Sequence, residues 1–304
     1  MQNSGGHLLH KQLLMAFNWQ TFWTRAFTAL IFVAVMAAGM LYNEWSFFVL
    51  IAVIHFGCWH EYGKLVEKIH KTFFHPYIVW GFALVGFHII LLLSDGLQLY
   101  YYSVKKSFAL SFLLAGCVLA LMGIFKRYKV TPKAIGALAL GLAYISLSLG
   151  LLLHLRLSED IRVLNSGEFL INQPNGFYIP ILIIVAIWIN DTMAYLVGSA
   201  IGKTPFSKVS PKKTLEGTIG GMLLCILAMV FILKPWFDWK ILLGISIIVA
   251  VFGTAGDLLE SKIKRMAGVK DSGKIMPGHG GFLDRFDSLL IAVPAVWLFL
   301  QLLK

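Results

Sequence analysis

Charge is the first thing this sequence lacks. Only 13% of its 304 residues are Asp, Glu, Lys or Arg, about half of the roughly 25% usual in a soluble chain. Hydrophobic residues make up 58% and the mean hydropathy is +0.78. An ordinary soluble domain is thereby excluded, and lipid must serve as solvent for most side chains. Cysteine is also scarce. Cys58, Cys117 and Cys225 stand inside apolar runs with no CxxC spacing, which excludes a disulfide framework or a cysteine zinc site and reads as packing by small buried hydrophobes. No Walker A sequence and no Rossmann fingerprint occurs, so any nucleotide must sit on another scaffold. Repeats, low-complexity tracts and long polar linkers are missing too, which leaves no room for a separate soluble domain.

What the chain has is long apolar runs. In hydrocarbon only helices and closed barrels satisfy every backbone group, and these runs exceed the roughly 9–11 residues of a barrel strand. The fold class is therefore an all-α integral membrane protein. Nine stretches approach spanning length, at about 26–42, 46–63, 77–94, 107–125, 134–155, 177–199, 217–233, 239–257 and 283–303. Arg25 precedes an apolar run longer than a signal h-region, with no small-residue cleavage site, so the first stretch reads as a retained span. Residues 1–25 form an N-terminal segment whose Leu9, Leu13, Phe17, Trp19 and Trp23, set among polar residues, suit a helix lying in the membrane interface. Residues 26–155 hold five spans. Residues 156–304 hold four, with the polar connections 200–216 and 258–282.

Nine spans place the N-terminus and the connections after spans two, four, six and eight on one side. That side carries 19 Lys and Arg residues against 7 on the other. Cytoplasmic connections carry the excess of basic residues, so the N-terminus is cytoplasmic and the C-terminus outside. The net charge of +11 then reflects orientation and anionic partners, with no nucleic acid implied.

Chemistry concentrates in the two long cytoplasmic connections and the spans beside them. If span eight stays helical past its apolar part, Asp257, Ser261 and Lys264 follow i, i+4, i+7 and share a face. Asp284 and Asp287 share a face at the start of span nine, while Arg285 is rotated from Asp284 by about 100°. Such carboxylates suit a hard cation such as Mg²⁺, which takes oxygen ligands and keeps waters and phosphates in its shell. They also suit the plainer role of first-turn acids complementing a helix dipole. Asp191 and Asp257 point more firmly to a site, because an acid within a span costs roughly 2.5–3.5 kcal/mol at the helix centre.

Pro277-Gly278-His279-Gly280-Gly281 opens directly into span nine. A glycine-rich turn before a helix N-terminus can leave backbone N–H groups aimed at a phosphate, and Lys264, Arg265, Lys270 and Arg285 flank this one. His279 could act as a base or as a hydrogen-bond donor to phosphate. The segment from Gly202-Lys203 to Ser210-Pro211-Lys212-Lys213-Thr214-Leu215-Glu216-Gly217 reads either as a second anion site or as a basic cytoplasmic loop. Ser210 or Thr214 would cap span seven.

The spacing Ser261-x-x-Lys264-Arg265-x4-Lys270-Asp271-x5-Pro277-Gly278-His279-Gly280-Gly281-x-x-Asp284-Arg285-x-Asp287 closely resembles the signature of the phosphatidate cytidylyltransferases, the CDP-diacylglycerol synthases. Asn190-Asp191-Thr192-x-Ala194-Tyr195, Gly198, Gly202-Lys203 and the stretch from Ser210 to Gly217 resemble that family's other shared segments. The N-terminal half is similar only in hydropathy. The resemblance implies a nine-helix membrane protein, often dimeric, in a bacterial inner (cell) membrane with its site facing the cytoplasm. It implies Mg²⁺, with K⁺ as a second cation, and Asp257 and Asp284 as metal ligands. CTP, phosphatidic acid and membrane lipids would be its partners. Asp257, Asp284, Lys264, Arg265 and Asp287 would carry the chemistry; Asp191, Lys212, Lys213, Thr214, Glu216, Ser261, Lys270, Asp271, His279, Gly280, Gly281 and Arg285 would bind substrate. The rival readings are a CTP-dependent lipid kinase of polyprenol type and a multi-pass transporter.

Overall fold

The computed structural model describes residues 19–95, 97–99, 102–126, 130–161, 175–207, 209–274 and 280–303. Among these, nine helices carry the fold: α1 (Trp19–Leu41), α2 (Glu44–His70), α3 (Pro76–Leu92), α4 (Val104–Phe125), α5 (Pro132–Leu157), α6 (Ile179–Ile201), α7 (Leu215–Leu233), α8 (Trp239–Met266) and α9 (Leu283–Leu302). A small antiparallel ladder pairs Gln98 with Ser103 and Leu99 with Tyr102. The all-helical expectation therefore holds, and each helix overlaps one of the nine apolar stretches. Five of them, within α4, α5, α6, α7 and α8, are long and apolar enough to cross a membrane by length and composition.

Helix ends follow local chemistry. Asn43 caps α2 by accepting from Ser46 N at 2.7 Å, and Ser46 Oγ accepts from Asn43 N in return. His75 and Thr131 precede the N-terminal prolines of α3 and α5, where a missing N–H is harmless. Asp238 caps α8. Both α5 and α8 contain a π-helical turn, at Leu142–Leu147 and Val249–Gly253; such turns recur at functional sites.

Close packing depends on small residues, as between membrane helices generally. A Cβ at Gly81 of α3 would lie 2.6 Å from Ala120 N of α4, and one at Gly221 of α7 would lie 2.7 Å from Ala194 of α6. Helix α2 is locked from two sides: His55 Nε2 lies 2.9 Å from Ala83 O of α3, and Trp59 Nε1 donates to Ser146 Oγ in the α5 π turn at 2.9 Å.

Three expectations change. Trp19 to Arg25 form the first turns of α1, so the described end of the interfacial segment continues the first span; residues 1–18 lie outside the described residues. Cys58 and Cys225 are buried, but Cys117 is exposed on α4, where its neighbours Leu114, Val118 and Leu121 also face outward. Arg156, one of the seven basic residues counted on the outer side, is buried in the last turn of α5 with its guanidinium 4.0 Å from the Phe177 ring centroid, a cation–π arrangement.

Candidate active site

The C-terminal ends of α6 and α8 meet the N-terminal ends of α7 and α9. Helix α8 runs unbroken through Asp257 to Met266, as the shared face of Asp257, Ser261 and Lys264 requires. Gly256 lets this helix approach α9, since a Cβ there would lie 2.5 Å from Asp287 O.

Two lysines, in three ion pairs with acids, organise the site. Asp257 is salt-bridged to Lys213 from the α6–α7 connection. Lys264 lies 2.6 Å from Glu260 Oε2 one turn earlier and 2.6 Å from Asp284 Oδ1 on α9. Asp284 is held from several sides, because its Oδ2 accepts from Ser272 N at 2.9 Å and Gly281 N at 2.8 Å and lies 2.9 Å from Ser272 Oγ. Gly280 takes φ +81° beside that carboxylate, 2.6 Å from where its Cβ would stand; a side chain would be strained in backbone and crowded in space.

Asp287 is buried and accepts from Ser288 N at 2.6 Å. It interacts electrostatically with Asp257, Asp191 and Lys213, and Asp191 with the same lysine and Asp257. Asp191 is solvent-accessible on α6. Of these three carboxylates only Asp257 has a described contact with the Lys213 ammonium, while Asp191 and Asp287 feel its charge. Such hard oxygen donors fit a cation like Mg²⁺, which needs only one or two protein carboxylates beside phosphate and water. Among the described residues no group of three His, Cys, Asp or Glu side chains is placed to hold a metal ion by itself.

The 202–214 connection is held by its own latch. Glu216 accepts from Lys203 N at 3.1 Å, Thr204 N at 3.1 Å and Thr204 Oγ1 at 2.8 Å. Thr214, rather than Ser210, caps α7 by accepting from Gly217 N at 3.1 Å. These contacts bring Lys213 to Asp257. Ser261 is buried, while Lys212, Lys270, Asp271, Arg265 and Arg285 are exposed. Arg265 donates to Val269 O at 2.9 Å, closing the end of its own helix. His279 lies outside the described residues.

The glycine-rich entry to α9 differs from the open phosphate cradle read from sequence. Its first amides are already taken: Gly281 N by Asp284, and Phe282 N and Leu283 N by Glu61 of α2, each at 2.9 Å or less. Two carboxylates of the protein itself occupy the helix N-terminus. Glu61, Glu260 and Ser272 were not singled out from sequence, although Glu61 is an acid within an apolar stretch, the same signal that marked Asp191.

Comparison with known proteins places this arrangement. The chain is 44% identical over 126 residues to a phosphatidate cytidylyltransferase of Staphylococcus aureus strain COL, covering 40% of this chain and 48% of that protein. It is 44% identical over 138 residues to one of Synechocystis sp., covering 43% and 46%, and 42% identical over 131 residues to one of Staphylococcus haemolyticus, covering 41% and 50%. The chain thus spans about half the length of the curated relatives it matches. The cytidylyltransferase family as a whole matches residues 23–303. That match runs from the first described helix through every acid and lysine of the site, and the chain belongs to the cytidylyltransferase family.

Proposed function

We propose that the chain makes CDP-diacylglycerol and pyrophosphate from CTP and phosphatidic acid, at a site on the cytoplasmic side of a bacterial inner membrane that the chain crosses nine times. The relatives' printed names support the substrates, and the split of 19 basic residues against 7 supports the orientation. The observation that carries the reading is the alternation of carboxylates and ammonium groups where four helix ends meet: Asp257 with Lys213, and Asp284 with Lys264.

In the proposed reaction a phosphate oxygen of phosphatidic acid attacks the α-phosphorus of CTP in line, a new P–O bond forms, and pyrophosphate leaves with the electrons of the broken bond. A phosphomonoester is already anionic near neutral pH, so no strong base is needed and His279 is not required as one. Asp257 would hold Mg²⁺ together with Asp284, whose Oδ1 would exchange its Lys264 contact for the ion, with K⁺ as a second cation; a bound cation supplies charge neutralisation at the phosphates. Lys213 and Lys264, paired here with those same carboxylates, are the ammonium groups nearest at hand for phosphate oxygens, where preorganised positive charge counts most. The latch of Glu216 sets the loop that delivers Lys213.

The test is the fate of label. Ring-labelled CTP should send its label into lipid, while γ-labelled CTP should release labelled pyrophosphate and leave the lipid cold. Label from the γ-phosphate in lipid, with free CDP, would establish a lipid kinase instead.

A further inference from the structure

Glu61 has no part in the transfer chemistry above, yet it is almost wholly enclosed beside it, 1% exposed in the middle of the chain's N-terminal half. Burying a polar group is tolerated when hydrogen bonds replace water, and here the replacement is specific. Oε2 accepts from Ser272 Oγ at 2.7 Å and Leu283 N at 2.9 Å, while Oε1 accepts from Phe282 N at 2.9 Å. The two amides are orphan donors at the positive end of α9, where a carboxylate is favoured. Gly273 and Gly281 pass so close that a Cβ on either would overlap the Glu61 carboxylate.

Glu61 cannot swing with a loose helix. Its neighbours Trp59 and Tyr62 anchor α2 to α5, through Ser146 Oγ at 2.9 Å and Ala137 O at 2.8 Å. The carboxylate is a fixed post around which the 272–273 segment and the start of α9 are folded. Ser272 then carries the constraint into the site: its hydroxyl lies 2.7 Å from Glu61 Oε2 and 2.9 Å from Asp284 Oδ2, and its N–H donates to that same Asp284 oxygen. Asp284 in turn holds Lys264.

We infer that Glu61 is a positioning residue of the transfer reaction: through Ser272 and the first amides of α9 it sets the Asp284 carboxylate and the Lys264 ammonium against the phosphates. The inference rests on the cytidylyl-transfer reading for its kinetic part and on geometry alone for its structural part. Glu61→Gln keeps the volume but turns an amide NH₂ toward backbone donors. Glu61→Asp keeps the carboxylate one methylene short. Ser272→Ala removes the relay and leaves both amide contacts of Glu61 in place.

The experiment uses the purified full chain with CTP, phosphatidic acid and Mg²⁺, and reads kcat, both KM values, the thermal midpoint and hydrogen exchange of residues 281–286. Glu61→Gln should lower kcat by roughly 10–100-fold, the usual effect of losing a residue that orients a ligand. The KM values should change far less, and the amides of Phe282 and Leu283 should exchange faster. Glu61→Asp should restore part of kcat, and Ser272→Ala should lower kcat at an unchanged midpoint. Wild-type kcat in Glu61→Gln, or a loss matching only the loss of folded protein, overturns the inference. If Glu61→Gln does not fold, Ser272→Ala decides, and wild-type kcat there overturns it. A wild-type chain that makes no cytidylyl lipid sinks the reaction reading instead. In that case the exchange rates of residues 281–286 in Ser272→Ala and Glu61→Asp still decide whether Glu61 sets the start of α9: unchanged rates overturn that part too.

Discussion

The ammonium of Lys264 lies 2.6 Å from Asp284 Oδ1 and joins the end of α8 to the start of α9. The same nitrogen also neutralises Glu260, whose side chain is fully buried, while Lys264 and Asp284 are 12% and 8% exposed. Removing one partner of such a buried group leaves uncompensated charge, on the order of 3–5 kcal/mol. Lys264→Met should therefore lower the thermal midpoint markedly in detergent and abolish turnover. An unchanged midpoint would mean that the two acids find another partner.

Asp257→Asn and Asp284→Asn should each reduce turnover below about one hundredth of wild type, but their stabilities should differ. The Asp257–Lys213 pair is partly exposed, 23% and 35%, and screening leaves such a pair worth little. Asp284→Asn instead presents an amide NH₂ to Lys264 or to the N–H groups of Ser272 and Gly281, so its midpoint should fall. Thermal scanning beside the lipid-product assay checks both. Full activity of the wild type in excess chelator would sink the assignment of Asp257 and Asp284 to a metal.

Glu216→Gln should loosen the 202–214 connection, because one of its new groups faces the donors Lys203 N, Thr204 N and Thr204 Oγ1. Since that connection carries Lys213 to Asp257, a several-fold rise in the KM for CTP is expected, with faster proteolysis between residues 203 and 213. Unaltered kinetics with faster proteolysis would separate the latch from the site.

Gly221→Leu should fail to accumulate, since Ala194 on α6 leaves no room at this contact and overpacking costs roughly 1–3 kcal/mol or more. Gly136 is the control. A Cβ there meets nothing within 4 Å, and replacing a helical glycine by alanine gains about 0.5–1 kcal/mol. Expression and thermal midpoint of the two variants should move in opposite directions.

A thiol introduced at Lys270 should react with an impermeant reagent only from the cytoplasmic face of sealed vesicles, whereas native Cys117, exposed among apolar residues of α4, should stay silent from both. Labelling of position 270 from outside would reverse the orientation.

The helices were legible along the chain because a bilayer favours long apolar runs, and each apolar stretch lies along a helix, although the helices holding the first, second and eighth run on through polar residues to Trp19, His70 and Met266. Asp191 and Asp257 were legible for a related reason, since an acid in an apolar run is expensive unless it is used, and Lys264 and Asp284 by their helical spacing from neighbouring polar residues. Thr214 as a cap and the continuous helix through Asp257 also follow from spacing of a few residues. Partners are another matter. Glu61 meets Ser272 and Leu283 across 211 and 222 residues of sequence, and Asp257 meets Lys213 from a different connection. Periodicity reports which face is buried and says nothing about what lies opposite. The entry to α9 shows the consequence, because glycines before a helix announce free N–H groups, while only the packing of α2 against α9 decided that a carboxylate of the protein would receive them.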